Sequence, residues 1–69
     1  MMMTNDAPNF FVIDVWTATH RPPGDHRVNT FGVMGTDPAD AVRVALQWAA
    51  NLPGTVMPTR HAIVDWQTL

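Results

Sequence analysis

Five residue types are absent from this 69-residue chain: serine, cysteine, tyrosine, lysine and glutamate. Without cysteine there is no disulfide to staple a small fold and no thiolate to hold a metal. With serine, tyrosine, lysine and glutamate gone as well, the side chains left for covalent catalysis are Thr, Asp and His. Every acid is Asp and every base is Arg, in a sequence that uses Ala, Val and Pro freely. That bias fits a GC-rich genome, such as an actinobacterium or one of its phages. Long apolar runs are missing too, and none approaches the ~20 residues of a membrane-spanning helix. The opening Met1-Met2-Met3-Thr4-Asn5-Asp6 has neither a basic n-region nor an apolar h-region, so it does not read as a secretory signal. With no cysteine to oxidise, the expected location is cytoplasmic.

What is present is a folding composition: 46% hydrophobic and 14% charged. The length allows one domain, and a chain of this size buries only ~60% of the surface it exposes when unfolded. Tight packing and self-association are the remaining supports. A net charge of −2 argues against general polyanion binding.

Residues 1–8 read as a flexible tail and 9–69 as a single α+β domain. Residues 10–19, rich in β-branched and aromatic side chains, predict a strand with Phe11, Ile13 and Val15 on one face and Phe10, Val12, Asp14 and Trp16 on the other. Pro22-Pro23-Gly24-Asp25 is a turn signal, and residues 27–34 predict a second strand with Phe31 and Val33 on one face. Gly32 marks a bulge or a close approach. Asp37-Pro38 is a good N-cap and first helical residue, with Asp40 three positions after the cap, and Leu52-Pro53-Gly54 is a stop, predicting a helix over 38–51. Its apolar face carries Ala41, Ala45, Trp48, Ala49 and Leu52, widened by Val42, Val44 and Leu46. Residues 55–58 read as a loop. Residues 60–67 read as a third strand, with Ala62, Val64 and Trp66 toward the helix and His61, Ile63, Asp65 and Gln67 away from it. The architecture is β-β-α-β, a three-stranded sheet with one helix packed on one face. Sheet order 2-1-3 and a right-handed crossover beside strand two are both open.

This topology gathers charge. All three histidines and three of the four arginines fall in two short stretches, His20-Arg21 to His26-Arg27 and Arg60-His61. Both stretches are expected at the end that holds the hairpin loop, with most acids at the other. One helix covers one side of a sheet, so Val12, Trp16, Met34 and Ile63 are expected to face outward as a partly apolar patch, the kind of surface that forms interfaces.

Three sharper readings of the pole compete with a solvated charged end. A metal site is disfavoured because the histidine spacing gives no i,i+2 or i,i+4 ligand pair and neighbouring arginines repel a cation. Catalysis is disfavoured because His20 or His26 beside Asp25 on a turn rarely holds base-and-orienter geometry, and no nucleophile joins them. A nucleic-acid site has only Arg21, Arg27 and Arg60 for phosphate contacts, few for one monomer.

Gly35-Thr36-Asp37-Pro38-Ala39-Asp40-Ala41-Val42, following a hairpin, resembles the strand-to-helix junction of HicB-like antitoxin domains, which is Gly-polar-Thr-Pro-acid-acid-Ala-Leu in type. The resemblance covers this junction alone. The chain departs from the family's pattern in having no third strand before the helix and no C-terminal DNA-binding extension, and no functional residue carries over. The resemblance implies at most a small, dimerising regulator.

The expected function is therefore a non-enzymatic interaction module with no cofactor, no metal and no catalytic residue. It is read as homodimeric or docking on a host or operon-encoded protein, with no membrane partner, as a phage-encoded host-modulating protein would. Its contact residues are Val12, Trp16 and Ile63 on the open sheet, with Arg21, Arg27, Arg60, His20, His26 and His61 at the pole. The alternative is a small nucleic-acid-binding regulator that uses the pole.

Overall fold

The structure is a computed structural model and describes residues 8–19 and 26–69. Three strands and one helix follow in the order β1 (Asn9–Thr19), β2 (His26–Gly35), α1 (Pro38–Ala50) and β3 (Thr55–Thr68). The sheet order is β2-β1-β3, with both pairings antiparallel, so β1 lies in the middle. The α+β class, the β-β-α-β order and the helix on one face agree with the expectation, and of the two open sheet orders 2-1-3 is the one adopted.

The middle position of β1 follows from its side chains. Phe11, Ile13, Val15 and Thr17 are all fully buried, at the two-residue period of a strand. Each such apolar side chain contributes roughly 1.5–3 kcal/mol by leaving water. Opposite them, α1 turns a stripe of Ala41, Ala45 and Ala49 to the sheet. Alanines four apart let the helix backbone approach the strand closely, with Val42, Val44, Leu46 and Phe31 half-buried around the core and Val33 inside it. Thr17 is the one buried polar residue among those described, and its hydroxyl donates to the carbonyl of Arg27 at 3.3 Å.

The helix starts and stops close to the expected residues. Asp37 sits in extended backbone before Pro38, but its carboxylate makes no capping hydrogen bond. Asp40 does not reach back to the cap; it accepts from Arg43 Nη2 at 2.7 Å along the helix surface. At the other end, Asn51 Nδ2 donates to the Gln47 carbonyl at 2.9 Å and the Thr55 hydroxyl to the Leu52 carbonyl at 2.8 Å. Gly54 then takes the left-handed conformation, φ 81°, that turns the chain into β3.

Three expectations need correction. The stretch 55–58 is strand, not loop, because Pro58 lies on an edge strand, where a missing N–H is tolerated. The first residue of β3 is therefore Thr55, and Arg60 and His61 sit in its interior, opposite Trp16 and Val15. Trp48, expected inside, is about half exposed at 47%. The faces of β3 also differ from simple alternation. Its fourteen residues run along the eleven of β1, and register shifts leave Val56, Thr59 and Val64 without a partner there. The shift at Val64 sets Ile63 opposite Ile13, on the helix side, and Ala62 opposite Asp14, on the open side. Ile63 is thus not an open-face residue, and Ala62 and Val64 are not core. Trp66 keeps its expected side, packed on Phe11 at 5.0 Å between ring centroids. β-Bulges cause this: each inserts one residue and reverses the side-chain phase beyond it.

The alanine stripe leaves no room for growth. Ala45→Leu is expected to cost about 1–3 kcal/mol by overpacking, lowering Tm by at least ~4 °C in a domain of this size. Ala50→Leu, on the exposed helix side, is expected to stay within about 0.5 kcal/mol of the parent. Differential scanning calorimetry of the two variants checks this.

Candidate functional site

The charged pole is the first place to look for chemistry, and strand pairing divides it. His26 lies opposite Ala18 and Arg60 opposite Trp16, on the open face. Arg27 lies opposite Thr17 and His61 opposite Val15, on the helix face. The sheet therefore separates the four residues into two pairs on opposite sides. His20, Arg21 and Asp25 lie outside the described residues. Among those described, no three His or Asp side chains come together as a metal site would require.

The open face is quieter than its sequence suggests. The Arg60 guanidinium lies over the Trp16 ring, 4.4 Å from its centroid, a cation–π contact that covers the indole. The Phe10 ring lies over Gly32 so closely that a Cβ there would stand 2.6 Å from the ring tip, which explains a glycine inside a strand with no register shift. The Thr30 hydroxyl donates to Asp14 at 2.6 Å across β1 and β2. Val12 and Trp16 are only half-buried, and Trp16 is covered by Arg60.

Apolar exposure concentrates at the sheet's margins instead. Val28 and Met34 project from β2, and Val56, Met57, Val64 and Trp66 from β3. Trp48 reaches from the helix to the β2 margin and packs on Phe31, 5.9 Å between centroids. Sequence reasoning missed Trp48 and Trp66 as surface residues. The available signal was that the helix's apolar arc is too wide for one small sheet, which leaves part of it uncovered.

The two edges differ in kind. β3 carries three register shifts and Pro58, both devices that blunt an edge against pairing. β2 pairs with β1 over ten consecutive rows without a shift, and from Val28 to Gly35 it holds neither charge nor proline. Its outer edge is a regular row of backbone donors and acceptors. The Nδ2 atom of Asn29, on the same strand, is buried with no hydrogen-bond partner.

No family model, no curated protein and no solved structure matches the chain. The HicB-like resemblance therefore stays confined to the Gly35–Val42 junction.

The Arg60–Trp16 contact gives a direct test. Arg60→Ala is expected to cost about 0.5–1 kcal/mol. In a chain whose Trp48 and Trp66 are replaced by Phe, it should also make the emission of Trp16 more easily quenched by acrylamide. An unchanged quenching constant counts against the contact.

Proposed function

We propose that the chain is a non-enzymatic interaction module that works as a homodimer. The observation that carries this reading is the distribution of apolar side chains. The core holds Phe11, Ile13, Val15 and Val33 with three alanines, while Val28, Met34, Trp48, Ile63, Val64 and Trp66 stand at least a third exposed around it. A small core without disulfides gains most from burying such side chains against another chain. Tryptophan also contributes heavily where it is buried at an interface. The residues read from sequence as contacts, Val12 and Trp16 on the open face and Ile63 now on the helix side, join this surface as secondary contributors. Docking on a host or operon-encoded protein, the accessory role first suggested by composition, is the role this reading gives the assembled dimer.

The competing reading, a nucleic-acid-binding regulator, has less support. Arg27 and Arg60 point to opposite sides of the sheet, and Arg60 is engaged with Trp16. Among the described residues, too few phosphate contacts remain on either side for strong salt-dependent binding.

Sedimentation velocity across a concentration series distinguishes the two. The expected outcome is a dimer that dissociates on dilution, with no nucleic acid bound at moderate salt. A strict monomer at the highest soluble concentration sinks the homodimer reading. Nucleic-acid binding that is lost on removing Arg21 and Arg27 favours the competitor.

A further inference from the structure

The homodimer reading leaves open which surface pairs, and β2 holds a charge pattern that selects one. Arg27 stands at one end of β2, on the helix side, and none of the hydrogen bonds or ion pairs among the described residues uses its guanidinium. Asp37 stands just past the other end of β2, as the residue before α1, and its carboxylate makes no cap bond and no ion pair. Within one chain they are ten residues apart along an extended strand, roughly 30 Å, and cannot meet.

We infer that β2 pairs antiparallel with β2 of a second copy about a two-fold axis at Phe31, giving one six-stranded sheet in which Arg27 of each chain meets Asp37 of the other. This rests on the homodimer reading and names its interface. The register follows from three constraints. Opposed residues in an antiparallel pair share a face, so the axis must pass through a residue, not between two. An axis at Phe31 opposes residues 27–35 of both copies, nine rows of the regular edge. It also sets Arg27 opposite the second copy's Gly35, two residues before that copy's Asp37, within the diagonal reach of a long side chain. Moving the axis to Thr30 keeps nine rows but carries Arg27 away from the acid by two more residues.

The same register treats the apolar residues consistently. Val28 opposes Met34 on the open side, and these are two of the exposed side chains of β2. On the helix side, Phe31 meets its own copy at the axis, and each Trp48 already packs on its Phe31. Four aromatic rings then gather over the join, and both helices lie on one side of the continuous sheet. About eight to ten new backbone hydrogen bonds accompany the pairing. Like charges do not oppose one another anywhere along the nine rows, because Arg27 is the single charged residue in them.

Charge exchange tests this on the full chain. Arg27→Asp sets two acids together at both ends of the interface, and Asp37→Arg sets two bases there. Each single variant is expected to weaken dimerisation about ten-fold or more, since every dimer carries the pair twice. The double variant Arg27→Asp/Asp37→Arg restores the attraction with the signs reversed and is expected to return to near the parental dissociation constant. Far-UV circular dichroism confirms that each variant folds. Hydrogen exchange provides a second readout: amides of residues 27–35 should gain protection as concentration rises, while those of Thr55–Thr68 should not. A parent that stays monomeric overturns both this inference and the homodimer reading. A parental dimer untouched by the single variants, or weakened by them but not restored by the double, overturns the β2 interface and leaves the homodimer reading standing.

Discussion

The contact between β1 and the alanine stripe of α1 is the constraint on which everything else depends. Phe11, Ile13 and Val15 occupy the middle of the sheet, and Ala41, Ala45 and Ala49 come down on them without spare volume. Since β1 pairs with a strand on each side, its backbone is satisfied by neighbours and its inner face by the helix. The flanking strands have no such coverage. Each is paired on one side only, so edges and exposed apolar side chains fall on β2 and β3. A helix this slim at its contact face approaches closely but covers little, and the rings of Trp48 and Trp66 are left at the margins.

The two edges resolve that situation in opposite ways. β3 is longer than the strand it follows, and it accommodates the surplus with bulges and a proline that make its outer side irregular. β2 keeps perfect register with β1. It is uncharged along most of its length, and ionic groups sit only at its ends. An edge strand of that regularity is a liability in a lone chain and an asset in an assembled one.

Much of the fold was legible from local chemistry. The alternation from Phe10 to Trp16, the Asp37-Pro38 start and the Leu52-Pro53-Gly54 stop each involve residues close in sequence, and the elements they announce are present. The division of β3 between faces was not legible. A bulge at Val64 is set by which residue of β1 lies opposite, and no local signal encodes that partner. Ile63 and Ala62 consequently exchange sides relative to strict alternation. The candidate site was legible in part. The clustering of His and Arg is plain in the sequence, but the pairing rows that send Arg27 and His61 to one face and His26 and Arg60 to the other depend on tertiary register. Trp16 was placed on the open face correctly; that Arg60 lies over it required the strand beside it.

The bulge at Val64 also makes this a position where the strand's length can change. Upstream of it lie Arg60, the cover of Trp16, and Ile63, opposite Ile13; downstream lie Asp65 and Trp66. Without Val64, Ile63 and Asp65 become neighbours that already lie on opposite faces, so alternation runs unbroken through the join. The arginine keeps the indole, and Trp66 keeps Phe11. Val64 is thus surplus length that the sheet can lose without turning any side chain over.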